Sequence, residues 1–290
     1  MTTRVEAAEP VVAGDILTDV FGVEKPVMGT IHILPLPGAP DHRGRTMDEI
    51  ISRAVADAAA YVRGGIDGLI VENGGDIPFL KPGLVGPETV AGMTAVTCAV
   101  RDVVTVPIGV NCLANAVIQG LAIARATGSV FVRANQWANA YIANEGFVEG
   151  AAAEALRFRS AIRAEDVAIF ADVHVKHGSH AIVADRPMDE QTRDVEAFGA
   201  DVLIATGQRT GHPVQMQELT SISEAATKPV ILGSGLTADN ARQLLRVAAG
   251  AIVGSWMKEG GVWWNPVDEA RVAAVMAEVS ELRHTEGRGT

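Results

Sequence analysis

A chain of 290 residues with 48% hydrophobic content is long enough to bury one large core. Its formal net charge of −11, with no basic run, excludes a nucleic-acid binder, because phosphates need clustered Lys and Arg, and disfavours anionic lipid surfaces likewise. Cys98 and Cys112 form neither a metal nor a disulfide pattern, which suits a reducing cytoplasm.

The acidic residues through Ala13 lack the charged-then-apolar order of a signal peptide and read as a loose tail, with residues 1–20 set apart from the fold. Short β-branched runs then recur: Val27 to His32, Gly68 to Asn73, Pro107 to Cys112, Val130 to Asn135, Ala168 to Val175, Val202 to Gly207, Pro229 to Ser234 and Ala251 to Ser255. Helical patterns start near Met47, Pro87, Asn115, Phe147, Asp189, Pro213, Thr237 and Pro266. The uncharged stretch from Val103 to Ala124 is long enough to cross a bilayer. Its interior Pro107, Gly109, Asn111, Asn115 and Gln119 read instead as a strand, a turn and a packed helix, so no transmembrane segment is expected.

Eight strand–helix units with short connections predict an α/β fold, a single (β/α)8 TIM barrel over residues 21–284, with 285–290 as a C-terminal tail. A doubly wound sheet would need G-x-G-x-x-G after its first strand. The chain has Leu34-Pro35-Leu36-Pro37-Gly38-Ala39-Pro40 there, a stiff loop read as a rim or lid.

In such a barrel the active groups sit at the C-terminal strand ends. These supply His32, Asn73, Asn111, Arg133, Asn135 and Thr206 as substrate-binding candidates, and Glu72 as a carboxylate for the chemistry. Parity lets only one of Glu72 and Asn73 face the lumen, and the carboxylate is favoured. An extended fifth strand places Asp172, His174 and Lys176 on one face, where they suit proton transfer: His174 titrates near neutral pH, Asp172 orients it or acts as base, and Lys176 is an electrophile or amine nucleophile.

Gly233, Ser234 and Gly235, with Gly254 and Ser255, form a phosphate cradle at the last two strands, where glycine lets the backbone approach an anion. Lys258 adds a positive charge beside it, and Arg209 is either an anion clamp or a surface residue. Trp263 and Trp264 read as packing for a connection over the rim, with a stacking wall for a ligand as the alternative. A metal held by His32, Glu72, Asp172 and His174 has no compact ligand spacing behind it, so no metal is assigned and no cofactor is required, although a divalent ion stays open.

The segments Met28-Gly29-Thr30-Ile31-His32, Val71-Glu72-Asn73-Gly74-Gly75-Asp76-Ile77-Pro78-Phe79, Asp172-Val173-His174-Val175-Lys176-His177 and Val253-Gly254-Ser255 with Trp264-Asn265-Pro266-Val267-Asp268 together resemble the BtpA/SgcQ family. That family is a set of TIM barrels expected to bind phosphate and named for a photosystem I biogenesis protein. The resemblance spans nearly the whole chain and implies a family surface at Glu72, Asp76, Asn111, Arg133, Asn135, Asp172, His174 and Lys176. It breaks after strand three, where the family pattern Asn-Val-Leu-Arg-Asn-Asp becomes Asn111-Cys112-Leu113-Ala114-Asn115-Ala116.

The expectation is a cytoplasmic enzyme that acts on a phosphorylated small metabolite, a sugar or nucleoside phosphate, by acid–base isomerase or lyase chemistry. The alternative is a non-catalytic assembly or stability factor of the photosystem I biogenesis type. Homo-oligomerisation is left open.

Overall fold

Successive side chains of a strand point to opposite faces, so a closed parallel sheet sends one set into its lumen and the other under its helices. The computed structural model describes residues 15–286 except Gln208 and Thr210. The tail through Ala13 and the last residues, 287–290, lie outside the described residues.

Helix α1 (Ile16–Phe21) falls inside the stretch expected as tail. Asp15 caps it, accepting from the Leu17 N–H at 3.2 Å, and Gly22 ends it in the left-handed conformation. There follow β1 (Val27–His32), α2 (Met47–Arg63), β2 (Gly68–Glu72), α3 (Pro87–Arg101), β3 (Ile108–Asn111), α4 (Val117–Thr127) and β4 (Phe131–Ala134). A hairpin of β5 (Ala140–Ala143) and β6 (Gly146–Glu149) leads to α5 (Ala152–Ala161), β7 (Ala168–Asp172) and the two-residue β8 (Gly178–Ser179). The chain continues through α6 (Met188–Ala197), β9 (Val202–Ala205), α7 (Met216–Ala225), β10 (Val230–Leu232), α8 (Ala241–Leu245), β11 (Ala251–Val253) and α9 (Glu269–Glu286).

Eight strands close a barrel in the order β1-β11-β10-β9-β7-β4-β3-β2, each pair parallel, while β6-β5-β8 form a small separate sheet. The fold is therefore the expected (β/α)8 barrel. No helix among the described residues is long and apolar enough to cross a membrane.

The lumen has two storeys. Met28, Ile70, Phe131, Phe170, Ile204 and Ile231 fill the lower one together with Leu17 and Phe21 of α1, which closes the barrel floor. Phe131 and Phe170 stack with centroids 4.4 Å apart. Gly109 makes room for them: a Cβ there would lie 2.2 Å from the Phe131 ring. Residues of the opposite parity, such as Val71, Val110, Val132 and Leu203, pack outward in the barrel–helix core. Several inward series turn polar two residues up the strand, from Ile70 to Glu72, Phe131 to Arg133 and Phe170 to Asp172. Register then aligns His32 with Glu72 and Glu72 with Asn111 along the C-terminal edge.

Three local expectations are corrected. The helix expected near Phe147 starts at Ala152, because Tyr141↔Val148 pairing folds the preceding residues into the β5–β6 hairpin. The strand expected to reach Val175 ends at Asp172, because Val175 leaves the barrel to pack with Tyr141 and Val148. The Pro-rich loop after β1 is no lid: Leu36 is buried against Gly92 of α3, and its N–H donates to Asp76 Oδ1 at 2.8 Å.

Leu17→Ala is expected to lower stability by about 2–5 kcal/mol, the cost of a cavity at a fully buried leucine. A urea midpoint equal to that of the unaltered chain would show that α1 does not seal the floor.

Candidate active site

The polar storey opens into a cavity of about 820 Å3 at the C-terminal face, with His32, Glu72, Asn111, Arg133, Asn135 and Lys176 among its lining residues. Beneath it the Arg133 guanidinium grips Asp172 in a bidentate pair, Nε–Oδ1 3.1 Å and Nη2–Oδ2 2.9 Å, with both side chains almost fully buried. The Asn135 amide also donates to Asp172 Oδ2 at 3.4 Å. Asp172 is thus committed to a structural pair and does not line the cavity.

Glu72 does line it, accepting from the Asn111 amide at 2.6 Å and standing 3.6 Å from His32 Nε2. Asn73 turns aside, donating to Asp76 Oδ2 and accepting from the Leu113 N–H. The His32 ring lies between two glycines, for a Cβ at Gly74 or at Gly254 would stand 2.9 Å from it. Burial first, then the positive charges of Lys258 and Lys176, hold the His32 pKa well below the ordinary histidine range, so its imidazole is neutral. Lys176 reaches the cavity as a half-buried amine. Desolvation, then the neighbouring Arg133, lowers its pKa to about 8 against the pull of Glu72 and Asp172.

His174 departs from the expected constellation. The chain bends at Val173 and His174, and the imidazole leaves the cavity lining to meet Glu218 of α7 (Nδ1–Oε1 3.0 Å) and the His180 ring, 3.9 Å away. Thr206 also stays below the cavity, its methyl under Gly233 and its hydroxyl on the Gly207 carbonyl.

Gly233, Ser234, Gly235, Gly254 and Ser255 share one wall. Gly235 has a φ of +79°, and a Cβ there would strike the Pro213 backbone at 2.3 Å, so the loop requires glycine. Among the described residues no protein group accepts from the backbone N–H of Ser234, Gly235 or Leu236.

Lys258 plays no part in that wall. It is fully buried, 3.5 Å from Asp57 of α2 and over the Tyr61 ring, and desolvation lowers its pKa to about 8. Arg209 does line the cavity mouth. Among the described residues no group of three His, Cys, Asp or Glu side chains converges as a metal site.

One cavity feature is missed by the sequence reading, and a second has two readings there. Tyr141 on β5 enters the lining because the small sheet leans over the mouth, and the paired runs flanking Asn144-Glu145 were the hairpin signal for it. Trp264 is 60% exposed and faces the cavity rather than packing a connection.

The chain is thus a (β/α)8 barrel with ionisable groups at its C-terminal strand ends and a glycine-lined wall beside them. The BtpA family profile matches residues 23–281, and the chain belongs to that family. An uncharacterised protein of Archaeoglobus fulgidus is 40% identical over 254 residues, covering 88% of this chain and 98% of that protein. The photosystem I biogenesis protein BtpA of Synechocystis is 37% identical over 266 residues, covering 91% of each. Among solved structures, a ligand-free tryptophan synthase from Mycobacterium tuberculosis superposes with a TM-score of 0.58 at 17% identity, covering 92% of this chain and 99% of that one. That likeness concerns the fold alone.

Arg133→Met alone is expected to cost about 3–5 kcal/mol, because it strands the buried Asp172 charge, whereas adding Asp172→Leu restores most of the loss. Equal destabilisation in single and double variants would deny the coupling.

The two lysines set a pH dependence. Their folded pKa of about 8 lies below the ordinary 10.5, so above pH 8 the unfolded chain holds protons the folded one has released. Stability gained from them therefore rises with pH from about 8, opposed above 9.0 by Cys112, whose thiol burial raises from that value to about 12, and above 10.0 by Tyr61, whose pKa burial also raises. Lys258→Met should flatten that rise in urea midpoints; an unchanged slope would contradict it.

Proposed function

We propose that the protein is an enzyme acting on a phosphorylated small metabolite by acid–base isomerase or lyase chemistry, working in the cytoplasm. One observation carries this reading. A single cavity faces unaccepted backbone N–H groups at Ser234 to Leu236 on one wall and Glu72, Lys176 and neutral His32 on another.

The phosphate sits on the N–H wall with the Ser234 and Ser255 hydroxyls beside it. Glu72 takes a proton from the carbon next to a carbonyl, and the electron pair moves onto the carbonyl oxygen. The Lys176 ammonium stabilises that oxyanion or delivers a proton to it, a role suited to an amine that titrates near pH 8. Returning the proton to the adjacent carbon gives an isomerase, and expelling a leaving group from it gives a lyase. Asp172 serves by fixing Arg133. His174, directed at Glu218, supports the loop that carries Lys176.

The name of the Synechocystis relative, a photosystem I biogenesis protein, favours a second reading, a non-catalytic factor in assembly or biogenesis. Stoichiometric partners in a pull-down, with no phosphorylated ligand bound, would support it over the first.

Thermal unfolding with inorganic phosphate and sugar phosphates separates the two. A ligand at a hundred times its Kd adds about 2.7 kcal/mol, and Ser234→Asp is expected to abolish that gain. Once a substrate is in hand, Glu72→Gln and Lys176→Met should each lower kcat by about 10²- to 10⁴-fold with phosphate binding intact. Full turnover in either variant removes that residue from the chemistry.

A further inference from the structure

The cavity is larger than a phosphate on a short carbon chain requires: its volume of about 820 Å3 lies toward the upper end of pockets that take drug-sized molecules. Two of its sectors remain unused by the proposed chemistry, and each has a distinct character.

The first is a pair of buried amides. Asn111 and Asn135 each donate an amide N–H to a carboxylate, Glu72 and Asp172 respectively. Those bonds fix which end of each amide is the donor and leave both Oδ1 atoms buried with no partner. An open acceptor at such depth is costly unless a ligand fills it. A cation is a poor occupant, because Arg133 and Lys176 line the same space. Hydroxyl groups are the neutral donors that match two separated carbonyl oxygens.

The second sector is aromatic. Trp263 meets the His32 ring edge-on, with centroids 5.2 Å apart, and Trp264 stands at 84° to Trp263. The loop that presents them is anchored, not slack: Arg53 donates to the Trp264 carbonyl at 3.0 Å, the Asn265 N–H donates to the Val262 carbonyl at 3.0 Å, and the Asn265 amide donates to the Glu259 carbonyl. A rigid loop therefore holds a largely exposed indole at the cavity mouth, and Phe79 and Pro78 from the loop after β2 line the same cavity.

Around the barrel these sectors follow one another. The anion wall lies after β10 and β11, the tryptophans follow β11 over the end of β1, and the amides end β3 and follow β4.

Resting on the reading proposed above, we infer that the substrate is a nucleotide-like phosphate ester, a ribose-sized hydroxylated chain that bears the reacting carbonyl and carries a flat unsaturated ring. Its phosphate occupies the N–H wall, its hydroxyls meet Asn111 and Asn135, and its ring lies against Trp263 and Trp264.

The test titrates the full chain with inorganic phosphate, ribose 5-phosphate and a set of purine, pyrimidine and nicotinamide mononucleotides, following tryptophan fluorescence and calorimetric heat. At least one mononucleotide is expected to bind about tenfold or more tighter than ribose 5-phosphate, the gain that stacking on an indole gives. Trp264→Ala should erase that gain and leave ribose 5-phosphate binding unchanged, while Trp264→Phe keeps part of it. Asn135→Leu should weaken ribose 5-phosphate and mononucleotides alike and spare inorganic phosphate.

If ribose 5-phosphate binds and no mononucleotide improves on it, the ring is refuted and the phosphate-ester reading survives. A mononucleotide preference untouched by Trp264→Ala overturns the assignment of the aromatic wall. Failure of every phosphorylated probe to bind overturns both readings together.

Discussion

Everything polar in the lumen depends on the Arg133–Asp172 pair. Arg133 and Asp172 stand two residues above Phe131 and Phe170, so neighbouring strands that stack two rings in the lower storey clasp two charges in the upper one. The parallel ladder of β4 and β7 sets their separation, and both the aromatic stack and the bidentate pair use it. A buried ion pair is weak evidence for stability, since an apolar pair of similar volume is often as good. Its value here is electrostatic. With Asp172 paired to Arg133, Glu72 and Lys176 are the carboxylate and amine that line the cavity above the pair, and Lys176 feels Arg133 and Asp172 with opposite sign.

The same arrangement explains why the histidines differ. His32 is buried among Gly74, Gly254 and Trp263, and that burial, with Lys258 and Lys176 close by, holds its pKa well below the ordinary histidine range, so it acts as a neutral hydrogen-bonding group. His174 faces the Glu218 carboxylate on the far side of the bent loop. One residue type thus carries two functions according to which face of the barrel wall it meets.

Much of this was legible in the sequence because parity is a hard constraint. Runs such as Gly68 to Glu72, bounded by glycine, fix a strand, and counting back by twos from its polar end assigns the lumen face without any structure. That is why Glu72 rather than Asn73 faces the cavity. The same counting failed at His174 because it presumed that the strand stayed extended beyond Asp172. What ends the strand is the burial of Val175 against a small sheet distant in sequence, and a single strand carries no signal of that contact. Lys258 was misread for a related reason. Its partner Asp57 interrupts the apolar stripe Ile50, Ala54, Ala58 and Tyr61 on α2, and a carboxylate on a buried helix face requires a cation to meet it there.

The departure of this chain from its family pattern bears on what the cavity accepts. Ala114 lines the cavity and Ala116 is buried where the pattern carries Arg and Asp, so the wall after β3 is apolar and uncharged. That change alone would fit a barrel losing its chemistry and kept as a scaffold. The buried atoms argue the other way. His32 Nδ1, Asn111 Oδ1 and Asn135 Oδ1 remain without partners inside the protein, each at a cost of about 1–3 kcal/mol, and Lys176 is held below its ordinary pKa. A scaffold gains nothing from such groups, because substitution by leucine or methionine would relieve the cost and leave the outer surface untouched. Unpartnered acceptors beside an uncharged wall would suit a molecule that offers both hydrogen-bond donors and an apolar face.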